Sequence, residues 1–185
     1  MNITPTWDGG AGKIPLSPYD ALPRARVDAL LKCDSYQRPQ VLLMQMIRER
    51  DHRTGLLLFL TFWNDCDAPW PWRSAFAKEL RYMLTKISLA DVLPEAEREW
   101  FNSLPPLIDI YRGCERGRAR GLSWTTKIDV ALKFAQGRRC INRHPTLMTA
   151  TIPKQHVFGV FLGRNESEVA VDYRRLRHLQ AATEG

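Results

Sequence analysis

The chain changes its hydrophobic period once, at Pro105-Pro106. Before that pair, apolar residues recur at helical spacing, as in Phe76, Leu80, Met83, Leu84 and Ile87. After it, short β-branched and aromatic runs alternate with Gly, Asn and Pro, which reads as strands joined by turns. Two adjacent prolines lack amide donors and fix their own backbone, so neither pattern runs through them. Helices followed by strands make an α+β chain. The expectation is a helical N-terminal region over 1–105 and a strand-rich unit over 106–185, joined in one body.

Within the first half, residues 8–23 are rich in Gly and Pro and read as an irregular leader. Val27, Leu30 and Leu31 share a helix face. The next segment, with Val41, Leu42, Met44, Met46 and Ile47, is apolar nearly all round, as in a buried helix. Another apolar segment opens at Thr54-Gly55 and runs to Trp63, and 64–71 reads as a loop. Pro94 starts a short helix whose Glu95 and Glu97 suit its positive end. In the second half, strands are expected at 107–112, 121–126, 147–152, 157–162 and 169–173. Between the second and third, a helix carries Val130, Ala131, Phe134 and Ala135, with Thr126 placed to cap it. A basic loop follows Gly137, and the tail from Arg174 to Leu179 reads as a basic helical turn.

Charge separates the halves as sharply. Residues 1–105 hold 13 basic and 13 acidic groups, whereas 106–185 hold 14 and 7. The net charge of +7 therefore lies wholly in the second half, there as 11 arginines against 3 lysines. An arginine fork binds phosphate through paired hydrogen bonds, which points to a phosphate-bearing ligand; a solvated basic face is the plainer alternative. The longest apolar run, Leu56-Leu57-Leu58-Phe59-Leu60, is far shorter than a membrane span, and the first residues lack a secretion signal. A cytoplasmic chain without membrane contact is expected. Cys33, Cys66, Cys114 and Cys140 are scattered without a CxxC pair, so free thiols and no metal are expected.

Three fragments of the second half fall in a meaningful order: Tyr111-Arg112-Gly113, Ser123-Trp124-Thr125 and Glu166-Ser167-Glu168-Val169. Between the last two lies Ala131-Leu132-Lys133-Phe134-Ala135. Together, across about residues 107–173, they resemble the signature of the ADP-ribosyltransferases of the arginine–serine–glutamate clade, which transfer ADP-ribose from NAD. That signature has an aromatic-Arg strand, a Ser-Thr-Ser strand, an Ala-x-x-Phe-Ala helix and a Glu-x-Glu or Gln-x-Glu opening a late strand. Trp124 and Thr125 depart from its second element. The resemblance implies that the helical half is followed by a split antiparallel β-sandwich, with NAD as substrate.

It also implies residue roles. Arg112 would hold the pyrophosphate of NAD, and the backbone of Gly113 would approach the nicotinamide amide. Glu168 would be the catalytic carboxylate, steadying the sugar cation that forms as the nicotinamide bond breaks; Ser123 would orient it and Thr125 would support the strand. Glu166, two residues earlier, would position an acceptor guanidinium and take its proton, which favours protein arginine as acceptor. On a strand the two glutamates would share a face; as the end of a loop, the stretch could swing Glu166 toward an incoming acceptor. Tyr111 and Phe134 are either nicotinamide neighbours or core, with core the simpler reading for Phe134. Arg138, Arg139 and Arg143 lie on the loop where related enzymes touch phosphate and nicotinamide. Trp63, Trp70 and Trp72 mark either a partner surface or a loop pinned by aromatic packing. His144 and His156 read as structural or exposed.

The leading expectation is a mono-ADP-ribosyltransferase acting on a macromolecule, in the manner of a phage or bacterial effector or toxin. Three others stay open: nucleic acid (RNA or DNA) as the acceptor, drawn by the basic half; NAD hydrolysis, with water as acceptor; and a non-catalytic module whose basic face binds nucleic acid or a partner. The N-terminal helices could cap the NAD cleft, recognise the acceptor or form the face gripped by an inhibitor (antitoxin) protein.

Overall fold

Asp51 shows how the helical half is cut from the chain. Its carboxylate accepts the backbone N–H groups of Arg53 and Thr54 at 3.2 and 3.1 Å, satisfying donors that a helix start leaves open. The helix so capped runs His52–Phe62. The structure, a computed structural model, describes residues 21–137, 143–163 and 166–182. Most of the Gly- and Pro-rich leader, Arg138, Arg139 and Cys140 lie outside these residues.

Among the described residues the first half forms α1 (Arg24–Leu31), α2 (Arg38–Arg48), α3 (His52–Phe62), α4 (Arg73–Met83) and α5 (Glu95–Ser103). The expected loop between α3 and α4 contains two 3-10 turns, Trp63–Asp65 and Trp70–Trp72. The second half forms β1 (Leu107–Glu115), β2 (Ser123–Thr125), α6 (Ile128–Ala135), β3 (Pro145–Pro153), β4 (Val157–Phe161), β5 (Glu168–Val171) and β6 (Arg177–Ala181). The fold is α+β. No described helix is long and apolar enough to cross a membrane.

The six strands form one antiparallel sheet in the order β4-β5-β2-β1-β3-β6. The resemblance implies two facing sheets, and the described strands form one. The joint between β1 and β2 is narrow, a single register pair of Tyr111 with Thr125, whereas β1 pairs with β3 along its whole length. The short β2 limits that joint. The tail also departs from expectation. It is an edge strand, β6, pairing Ala181 with Met148 and Gln180 with Thr149, and only Tyr173–Arg175 forms a 3-10 turn. Its arginines mask a strand pattern whose stabilising partner lies some 30 residues earlier; charged edge strands also resist unwanted pairing. Thr126 does not cap α6; Lys127 occupies that position and no side chain caps it.

A continuous hydrophobic core runs from Leu22 to Tyr173 and joins the halves. Phe59 of α3 meets Phe161 of β4 at 6.1 Å between ring centres. Polar ties reinforce the contact. Arg81 of α4 holds the buried Asp172 at 2.9 Å, and the Ser74 and Tyr173 hydroxyls lie 2.9 Å apart. Lys154 reaches back to the carbonyls of Asn102 and Leu104 at the end of α5. These contacts set the α3–α4 connection against the sheet.

Candidate active site

Between that connection and the sheet lies a cavity of about 650 Å³. Strand β1 contributes Tyr111, Arg112 and Gly113, β2 contributes Ser123 and Thr125, α6 contributes Phe134, and the segment entering β5 contributes Glu166 and Glu168. The described residues to which the resemblance gives a role at the NAD site thus share one cavity, Arg143 included; Trp72, His144 and His156 do not line it.

Strand pairing explains the placement of the central carboxylate. Thr125 stands opposite Glu168 and Ser123 opposite Ala170 in the β2–β5 register. The Ser123 hydroxyl hydrogen-bonds Glu168. Trp63 completes the arrangement from the helical half: its Nε1–H donates to Glu168 Oε1 at 3.0 Å and to Ser123 Oγ at 3.2 Å. The indole is itself held by Phe59 and Phe76, at 4.9 and 5.4 Å between ring centres. Burial pushes the Glu168 carboxyl above the ordinary carboxylate range. The hydrogen bonds from Ser123 and Trp63 pull against that rise, the Glu166 charge adds to it, and Arg112 opposes it.

Glu166 precedes β5, and Ser167 between the glutamates adopts a left-handed φ of 46°. Glu166 thus stands at the end of a loop, the second of the two arrangements the sequence leaves open, and not on a strand. The Thr125 hydroxyl donates to the Glu166 carbonyl at 2.6 Å and accepts from the Lys127 amide at 3.0 Å. Thr125 fixes the bend that brings both glutamates to the cavity, a more direct task than supporting its strand.

Arg112 is anchored through its backbone neighbours. Its Nη1 donates to the Ser123 carbonyl and its Nε to the Arg118 carbonyl at 3.4 Å. A Cβ at Gly121 would lie 2.5 Å from the guanidinium carbon, so the glycine makes room for it. At Gly113 a Cβ would lie 1.9 Å from the Ala131 carbonyl oxygen and 2.3 Å from the Ala135 nitrogen. Contact with the backbone of α6 thus requires this glycine, beside any approach to a ligand. The face of α6 that is buried carries Val130, Ala131 and Ala135. Phe134 is left half-exposed at the cavity and not in the core, and Tyr111 is likewise half-exposed there.

The opposite wall is formed by Trp63, Asn64, Cys66, Trp70 and Arg73. Arg38 braces it, donating to the carbonyls of Leu30, Cys33 and Asp65. Burial pushes the Cys66 thiol up to about 12, so this cavity thiol is no nucleophile at neutral pH. The sequence pattern marked Trp63 as the end of an apolar run but gave no sign of its bond to a carboxylate 105 residues later. Among the expected residues, only Arg138 and Arg139 lie outside the described ones.

The cavity therefore brings together a half-buried carboxylate hydrogen-bonded by Trp63 and Ser123, a second carboxylate on a bend and an anchored guanidinium. No family model, curated protein or solved structure matches this chain, so the reading of the site rests on its own geometry and chemistry.

Proposed function

We propose that the chain is a mono-ADP-ribosyltransferase that takes ADP-ribose from NAD, delivers it to a protein arginine and releases nicotinamide. The observation that carries this reading is the shared cavity of Glu168 and Arg112, with Glu168 held by Ser123 and Trp63. Its volume of about 650 Å³ falls in the usual range for ligand pockets.

Each group has a task. The Arg112 guanidinium pairs with the diphosphate of NAD. The bond from ribose C1′ to the nicotinamide nitrogen breaks, its electron pair leaving with nicotinamide. A carboxylate 4 Å from the developing sugar cation stabilises it by about 4 kcal/mol at an effective dielectric near 20. Glu168 supplies that anion, held in place before the reaction so that little reorganisation is needed. An arginine nitrogen of the acceptor then bonds to C1′, and Glu166 takes the proton it loses.

The test is mass spectrometry of an arginine-bearing protein after incubation with the chain and NAD. The expected product is one ADP-ribose on arginine. Glu166→Gln should abolish that product while nicotinamide release to water continues. Label resistant to protease but removed by nuclease would overturn the protein acceptor, and transfer by Glu166→Gln at the wild-type rate would remove the role given to Glu166.

A further inference from the structure

A second charged feature starts at the cavity and leads away from it. Trp70 and Arg73 line the cavity wall, with Arg73 Cζ 3.9 Å from the Trp70 ring centre. The same guanidinium lies 5.8 Å from the Tyr173 ring, and Arg174 Cζ lies at the same distance from it. Arg120 donates to the Tyr173 carbonyl at 3.3 Å. Rings and guanidinium groups therefore alternate from the cavity outward. Arg120, Arg174, Arg175 and Arg177 are exposed.

Among the described residues Asp172 is the acidic group whose charge acts on this band, at Arg174. Asp172 is taken up by Arg81, and among the described residues Arg73, Arg120, Arg174, Arg175 and Arg177 form no ion pair with a carboxylate. Neighbouring groups register the excess. Burial first, and then the Arg175 charge, hold the His156 imidazole below its ordinary value; Arg177 and Arg81 act in the same direction and Asp172 opposes them. Ring faces offset part of the repulsion among the guanidinium groups, and a bound polyanion would relieve the rest.

We propose that this band, from Arg73 at the cavity through Arg120 and Arg174 to Arg177, is a binding track for single-stranded nucleic acid. Arginine forks fit phosphate by paired bonds, and a path of exposed guanidinium groups follows a sugar–phosphate backbone without reading its sequence. Trp70, half-exposed, ends the track with a ring beside the cavity. The track goes beyond the proposed transfer reaction and stands independently of it, because the exposed arginines at its outer end do not line the cavity.

The experiment is fluorescence anisotropy of a labelled single-stranded RNA oligonucleotide titrated with the full chain at several salt concentrations. Wild type should bind, with log K falling linearly in log salt by about 0.7 per phosphate contact. R174E/R175E/R177E should weaken binding about tenfold or more and flatten that slope by about 2. The milder R174Q/R175Q should shift both in the same direction, by a smaller amount. Nicotinamide release from NAD should be unchanged in these variants, so failure of the track and failure of the transferase reading are separable. No salt-dependent binding by wild type, wild-type binding by both variants, or equally tight binding of polyglutamate would each overturn the proposal.

Discussion

The two walls of the cavity are built by different means. On the sheet wall, Arg112, Ser123 and Glu168 come from strands, and interstrand register fixes where each side chain starts. On the helical wall, the segment joining α3 to α4 has no regular element longer than a 3-10 turn. It keeps its shape through Arg38, which ties the Asp65 carbonyl to those of Leu30 and Cys33 at the end of α1, and through the ring contacts of Trp63. The sheet wall carries most of the groups assigned to chemistry. The helical wall adds one N–H that bears on the ionisation of Glu168. A strand motif thus identifies a carboxylate, whereas a distant packed segment helps set its proton affinity.

Substitutions on the two walls should separate these roles. The largest effect is expected at the sheet wall. Gly113→Ala drives a methyl group to 1.9 Å from a helix carbonyl that no rotamer change can relieve. The expected loss is about 3 kcal/mol or more, read by urea unfolding; an unchanged midpoint would show that α6 can move away.

A smaller and more specific effect is expected from Trp63→Phe. Phenylalanine keeps ring packing near Phe59 and Phe76 but removes the N–H that reaches Glu168. That hydrogen bond favours the charged carboxylate, so losing it should raise the carboxyl pKa further. The acid limb of nicotinamide release should move to higher pH. A superimposable profile would reduce the helical wall to packing alone.

The smallest effect is expected at Ala68, which lies on the helical wall with a left-handed φ of 51°. Ala68→Gly should stabilise the chain by up to about 1 kcal/mol and leave nicotinamide release unchanged, as differential scanning calorimetry and a rate assay would show.

Much of the sheet wall was legible in the sequence. The change of period at Pro105-Pro106 located the boundary between helices and sheet, and the order of Arg112, Ser123, Glu166 and Glu168 anticipated their shared cavity. What stayed hidden depends on backbone contacts between distant residues. Nothing near Gly113 announces the backbone of α6 against it. The sequence left Glu166 on either a strand or a loop end, and the choice is made by the left-handed Ser167 and the Thr125 hydroxyl that ties down the bend. The arginine run before β6 concealed an edge strand whose partner is β3. Trp63 stayed hidden longest, since its polar partners belong to the other half of the chain.

The most direct test is the rate of nicotinamide release from NAD by wild type and Glu168→Gln, paired with melting curves from acid to neutral pH. Burial raises the folded-state pKa of Glu168. Its contribution to stability is therefore full below the unfolded value of about 4.3 and is lost as pH rises through the folded value. At neutral pH, Glu168→Gln should melt no lower than wild type, with any advantage shrinking toward acid pH. Release should nevertheless fall by about 10²–10³-fold, the scale on which preorganised electrostatic groups act. A folded Glu168→Gln that releases nicotinamide at the wild-type rate, or a wild type that releases none, would contradict the account.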